Sequence, residues 1–307
     1  MHKNMWIYVR VCDFMNKFCL LCKEVRPKQY IKNIFVFVAP LFAGKLLQWD
    51  IAAQSLLAFV AFSCTASVVY IINDIADREK DRQHPVKCHR PIASGDLSVV
   101  SALLGACVLL CIAAYISYQL NMELGAILLA YFVMNLAYSF RLKHVVIVDV
   151  LIIAMGFVLR AFAGVAATGV GATSWFVLCI FMLSMFLALA KRRGELELLR
   201  NSQKKQRKVL KNYSINLIDQ IMAVVSAIML TSYALFAQSA SYMSTGGGQQ
   251  IGMLFTVPIV MYGVFRYMFL IHMRGLGEKP EEVLLHDKHI LCTVVLYIIC
   301  IVFMRDI

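Results

Sequence analysis

The 307-residue sequence is poor in charge: Asp, Glu, Lys and Arg make up only 16% of it, against about 25% in average soluble domains. Hydrophobic residues reach 61%, and the mean hydropathy is +0.72. Soluble domains carry about 45–50% apolar residues, so the two soluble domains that length alone would suggest are excluded. No basic soluble region stands apart from the apolar segments, which excludes a nucleic-acid-binding domain despite a net charge of +12. The first 28 residues carry charges throughout and lack a small-residue cleavage site, so no cleavable signal peptide is expected. No Ser/His/Asp or Cys/His set offers a nucleophile with its base. His84, Cys88 and His89 lack a fourth zinc ligand at suitable spacing, and Cys19-x-x-Cys22 lacks a thioredoxin-like context. There is no full-length internal repeat, and Gly246–Gly248 is the one low-complexity stretch.

What is present is a series of mainly apolar segments near 29–47, 51–72, 98–118, 122–140, 146–168, 172–190, 216–238, 251–271 and 288–304. Each is about the length needed to cross some 30 Å of hydrocarbon as helix. The expected fold is an all-α polytopic membrane protein with nine transmembrane helices. With the N-terminus inside, 27 of the 30 Lys and Arg residues fall on the cytoplasmic side; only Lys45 and Arg305 lie outside, and Arg160 lies within a span. That bias sets the orientation, and it concentrates cations where anionic lipids and phosphorylated substrates gather. Cys12, Cys19, Cys22 and Cys88 then face the reducing side and the other six cysteines lie in spans, so disulfides are not expected. Residues 1–25 read as a separate interfacial amphipathic helix, with Lys3, Arg10, Lys17 and Glu24 recurring every seven residues on its polar face. A disordered tail is the alternative.

The most informative stretch is Tyr70 to Asp81. On a continuous helix Tyr70, Asn73, Asp74, Asp77 and Asp81 share one face. Stacked carboxylates repel, so a cation is expected between them. Carboxylates and an amide oxygen are hard ligands that suit Mg²⁺ bridged to phosphate. The alternative is a solvated loop neutralised by Arg78, Lys80 and Arg82. Elsewhere, Lys28 and Lys32 form an i, i+4 pair at the inner boundary, fit for phosphate or for snorkelling. Tyr131, Asn135, Tyr138 and Leu142 share a face expected to point inwards. Asp149, Ile153, Gly156 and Arg160 share another; Arg160 lies about 21 Å along its helix and must face a partner, a ligand or a wet cavity.

Asn73-Asp74-x-x-Asp77-x-x-x-Asp81 followed by Arg90-Pro91-Ile92-Ala93-Ser94-Gly95 resembles the first aspartate motif of the UbiA superfamily of intramembrane prenyltransferases. From Arg26 to about Asp287 the chain is similar to its decaprenyl-phosphate phosphoribosyltransferase branch. The resemblance implies a UbiA-like bundle with cytoplasmic cap loops and a catalytic domain over residues 26–307. It implies Mg²⁺ on Asn73, Asp74, Asp77 and Asp81, with the three aspartates catalytic. Substrate contact is implied for Lys32 and Asn33 in the Arg-Pro-x-Gln-aromatic-x-Lys-Asn run and for Tyr138 and Lys143 in Tyr-Ser-x-x-Leu-Lys. The single downstream acid Asp149, the Lys191-Arg192-x-x-Glu195 run, and Glu281 and Asp287 in a late acidic patch complete the set; the classical second aspartate motif is shortened to Asp149.

The implied reaction moves 5-phosphoribose from phosphoribosyl diphosphate to a polyprenyl phosphate at the cytoplasmic face of the inner membrane, with an oligomer allowed. Lys32, Lys87, Arg90, Lys143, Lys191 and Arg192 would supply the extra positive charge, and Arg160 counts among the substrate-binding candidates. The runner-up is transfer of a prenyl group from its diphosphate to an aromatic acceptor. A non-catalytic transporter or lipid-binding protein would favour mid-membrane broken helices and inverted repeats, neither of which is evident.

Overall fold

The structure is a computed structural model that describes residues 19–200, 213–244, 252–274, 283 and 286–304. Every regular element among them is helical. The long helices are α1 (Trp49–Ala76), α2 (Val99–Leu120), α3 (Met122–Phe140), α4 (Val148–Thr168), α5 (Ser174–Arg200), α6 (Ile215–Ser244), α7 (Val257–Arg274) and α8 (Lys288–Met304). Seven of the nine expected segments, those of α1 to α7, are long and apolar enough to cross a membrane.

Of the remaining two, the last is a helix over the expected residues and the first departs from expectation. Helix α8 has 17 residues, one of the shorter apolar helices. The first segment is not a regular α-helix: Pro27–Phe37 is a 3₁₀-helix, followed by a five-residue α-helix, Val38–Phe42. At about 2.0 Å and 1.5 Å per residue these add up to about 30 Å, so the stretched coil reaches as far as a longer α-helix. Its tightness has a packing reason. A Cβ on Gly164 of α4 would stand 1.8 Å from the Val36 carbonyl oxygen, so the two backbones touch where only glycine fits.

The chain divides into two compact units, residues 1–140 with 159–171, and residues 141–158 with 172–307. The first is built around α1. Its small residues Ala58, Ala61, Ser63, Ala66 and Ser67 are buried and admit close neighbours. Ser55, Thr65 and Ser67 return their hydroxyls to the carbonyl four residues back, which satisfies them without water. Phe62, Leu124 and Tyr131 pack into the core, while α2 and α3 leave Leu104, Val108, Leu129 and Val133 exposed on the apolar outside. In the second unit Phe186, Leu189, Ile218, Met222, Leu270 and Ile271 form the core between α5, α6 and α7.

The aspartate stretch is not one helix. α1 stops at Ala76, Asp77 caps it at φ −93°, ψ 5°, and a separate helix spans Arg78–Arg82. The chain then turns back through Pro91–Ser94. Pro91 suits a first helical turn, where its missing N–H costs nothing, and Gly95 takes the left-handed conformation, φ 93°, that ends it. Ile92 and Leu97 are buried anchors, Arg82 Nε donates to the Ala93 carbonyl at 3.0 Å, and Ser98 caps α2.

Candidate functional site

In the first unit this backbone brings the motif's acids to two arginines. Arg90 Nη1 donates to Asp74 Oδ1 at 2.7 Å and to Asp81 Oδ2 at 2.6 Å. Arg26 donates to Asp74 Oδ2 and lies 5.2 Å over the Tyr70 ring. Lys87 Nζ lies 3.7 Å from Asp81. Asp74 and Asp81 are buried, whereas Asp77 is 22% exposed and pairs with Lys80 at 3.4 Å. Around the buried Asp74 and Asp81 the positive charge of the chain comes from Arg90, Arg26 and Lys87, while Lys80 pairs with Asp77. Asn73 is partly exposed.

Glu24 also belongs here, although its spacing assigns it to a polar helix face. It is 2% exposed instead of lying on a solvated polar face. At Glu24 the chain turns inwards because Leu20, Leu21 and Val25 pack against the core around Val68, Ile71 and Ile92; Lys3, Arg10 and Lys17 lie outside the described residues. The Glu24 carboxyl lies close enough to Asp74 to be perturbed by it, while its Oε1 is buried without a hydrogen-bond partner. Burial, then the closeness and charge of Asp74, push its carboxyl up to about 8 against the pull of Arg26 and Arg90. The turn that delivers both Glu24 and Arg26 is strained: Arg26 has φ 53°, which costs a non-glycine residue about 1–3 kcal/mol.

Asp74, Asp77, Asp81 and Glu24 are oxygen donors of the kind Mg²⁺ takes. Among the described residues no three acidic, His or Cys side chains are gathered as a metal cage; Asp74 and Asp81 share Arg90, and Asp77 lies beside Lys80. Mg²⁺ in phosphate-transfer sites takes one or two carboxylates and completes its shell with water and phosphate, and the buried pair Glu24–Asp74 fits that need.

Deeper in the same unit, Arg160 is 5% exposed. Its Nε donates to Asn33 Oδ1 at 2.8 Å and its Nη2 to Tyr131 Oη at 3.0 Å, and the guanidinium lies over the Phe62 and Tyr131 rings at 5.1 and 5.0 Å. Asn33 in turn donates to Ser63 at 2.9 Å. Asn33, 1% exposed, therefore serves this network, which gives the deep arginine its expected partners. Lys32 is exposed and Tyr138 partly buried.

In the second unit Asp149 is wholly buried. Arg192 Nε donates to its Oδ2 at 2.9 Å and Tyr213 Oη to its Oδ1 at 2.8 Å, while Arg192 Nη1 reaches Glu195 at 2.7 Å. Three expected residues thus meet, but Arg192 is 3% exposed and engaged with acids, not a solvated cation awaiting phosphate. Tyr213 escaped the sequence reading; it sits at the end of a basic run that carries no period pointing to it. Burial pushes its phenol up to about 12, so it stays a donor. It also accepts the Ile147 N–H at 2.6 Å, holding a β-branched residue at φ 69°, where only an outside grip maintains the turn. Lys143 is partly buried and Lys191 exposed. Asp287 pairs with Arg266 at 2.8 Å; Glu281 lies outside the described residues, as do residues 1–18 of the expected amphipathic helix.

The UbiA prenyltransferase family profile matches residues 33–283. The chain is similar to a decaprenyl-phosphate phosphoribosyltransferase of Mycolicibacterium smegmatis, 35% identical over 277 residues, which cover 87% of this chain and 86% of that protein. A second, from Corynebacterium glutamicum, is 34% identical and covers 92% and 85%. A UbiA homologue of Archaeoglobus fulgidus, solved with DMAPP and Mg²⁺, shares the fold at a TM-score of 0.67 and 19% identity, over 94% of this chain and 99% of that one. The chain belongs to the UbiA prenyltransferase family. It is a transferase and a multi-pass membrane protein.

Proposed function

We propose that the protein transfers 5-phosphoribose from phosphoribosyl diphosphate to a long-chain polyprenyl phosphate, releasing diphosphate. The observation that carries this reading is the 33–35% identity, over most of both chains, to proteins named decaprenyl-phosphate phosphoribosyltransferase. The bond from the ribose anomeric carbon to diphosphate breaks, and one to a phosphate oxygen of the lipid forms. The transition state is oxocarbenium-like, as in other glycosyl transfers. The attacking oxygen is already ionised at neutral pH, so no general base is required.

Asp74, Asp77 and Asp81, with Asn73 beside them, are proposed to hold Mg²⁺, which neutralises the departing diphosphate. Arg26, Arg90 and Lys87 exchange carboxylate partners for phosphate oxygens as the donor binds; Arg offers the bidentate geometry phosphate needs. Lys32, Lys143 and Lys191 are proposed to meet the further anionic groups, and Tyr138, Glu281 and Asp287 to contact the substrates. Asn33 and Arg160 are proposed as a rigid floor beneath the donor, and Asp149, Arg192 and Glu195 as the frame that sets Lys191 and Lys143. The reaction is proposed to take place on the cytoplasmic side of the inner membrane, with nine spans, an N-terminal helix along the surface and, where copies meet, an oligomer.

The test supplies purified protein with labelled phosphoribosyl diphosphate and a polyprenyl phosphate. A labelled, organic-extractable product is expected, lost with EDTA and in Asp77→Asn, which leaves the thermal unfolding temperature unchanged. Label that remains aqueous, together with transfer from an allylic diphosphate to an aromatic acid, would assign the donor to the ordinary prenyltransferases instead.

A further inference from the structure

The residues before the first span end in a helix over 19–24 and the left-handed Arg26 turn. That turn sends two side chains of opposite charge to the same aspartate. Arg26 takes Asp74 Oδ2, and the Glu24 carboxyl lies beside Asp74 from a position only 2% exposed. A buried carboxyl set against another carboxyl gains nothing from packing that glutamine or leucine would not supply better. Its partner-free Oε1 is buried beside the motif, outside the spacing pattern that identifies the motif in the sequence.

We propose that Glu24 is a ligand of the divalent cation, shared with Asp74, so that the chain preceding the first span supplies part of the metal site. The inference rests on the reading that Asp74 holds the metal. Two carboxylates are a sufficient protein share for Mg²⁺ in a phosphate-transfer site, since water and phosphate oxygens fill the rest of its octahedron. Arg26 and Arg90 flank the same aspartate and are placed to receive the phosphate charge that accompanies the ion. Glu24 and Arg26, two residues apart, would thus bring one ligand for the metal and one for the phosphate on a single short segment. Mn²⁺, which takes the same oxygen donors, is the probe.

The full-length protein in lipid nanodiscs is titrated with Mn²⁺ alone, and free Mn²⁺ is read by electron paramagnetic resonance; thermal unfolding without metal is measured in parallel. Glu24→Gln is expected to weaken Mn²⁺ binding by about tenfold or more, with the metal-free unfolding temperature unchanged or raised. Glu24→Asp, which keeps the charge on a shorter arm, is expected to fall between the two. Wild-type Mn²⁺ affinity in Glu24→Gln overturns the inference. Should that variant unfold, Glu24→Asp decides: weakened binding at a wild-type unfolding temperature supports the inference, and unchanged binding overturns it. Asp74→Asn separates the two levels. If it weakens Mn²⁺ binding while Glu24→Gln does not, only Glu24 is removed from the site. If neither does, the metal reading of Asp74 fails as well.

Discussion

Arg90 holds two buried carboxylates on one nitrogen, with Asp74 and Asp81 almost fully covered. Truncating it leaves both acids in a poorly hydrated pocket, and breaking a buried pair costs about 3–5 kcal/mol. Because Arg90 is itself a quarter exposed, Arg90→Ala should fall near the lower end, about 3 kcal/mol. Arg90→Lys should recover part of the stability but little of the donor affinity, since a point charge cannot replace the fork. Thermal unfolding beside donor binding checks both. Asp287 offers a pH test. Its hydrogen bond to Arg266 and the N–H groups of Ile290 and His289 hold the carboxyl at about 2, below its ordinary 3.8. A depressed acid stabilises the folded state fully above its ordinary value and loses that contribution as pH falls towards the folded one. Unfolding temperature should therefore drop between about pH 4 and pH 2, and Asp287→Asn should flatten that part of the curve.

Among the elements, the first span and α4 depend on each other. The Val36 carbonyl sits where a side chain on residue 164 would begin, and backbone cannot rotate away as a flexible side chain could. Gly164→Ala is expected to destabilise by about 1–3 kcal/mol, read as a lower unfolding temperature in detergent. It should also loosen the Arg160–Asn33 contact, because Asn33 lies on the 3₁₀-helix one turn before Val36. A wild-type unfolding temperature would show that the two backbones are not pressed together. The sequence carries a hint of this contact in Gly164 itself, but no periodicity distinguishes 3₁₀ from α over the eleven residues Pro27–Phe37. The break at Asp77 was equally hidden. Its spacing suits a continuous helix, and the backbone bonds across it stay local, Asp77 N–H to the Asn73 carbonyl and Asp81 N–H to the Asp77 carbonyl; the return of Pro91–Ser94, tied by Arg82 to Ala93, is a tertiary contact that no local pattern shows.

For the whole molecule, the charge bias makes a topological prediction. An odd number of spans puts the termini on opposite faces. A reporter inserted near Gln203 should behave as cytoplasmic and one fused after Ile307 as external. An internal reading at Ile307 would make the count even, with the short α8 or the 3₁₀ segment as the element that does not cross.

The sequence by itself determined the all-helical membrane class, the places of seven long spans and the identity of the acidic motif. Span length, hydropathy and residue spacing are local quantities that survive without knowledge of the fold. Only the tertiary structure decided what those residues face. Arg26 meets Asp74 across 48 positions and Arg160 meets Asn33 across 127, and no local pattern encodes such a pairing. Tertiary structure also turned Glu24 inwards, against its seven-residue recurrence, and drew Arg192 onto Asp149. For Arg192 burial removed a charge from water, and Asp149, from a distant part of the chain, had to be present to meet it; Glu24 is instead buried against Asp74, and burial pushes its carboxyl up to about 8.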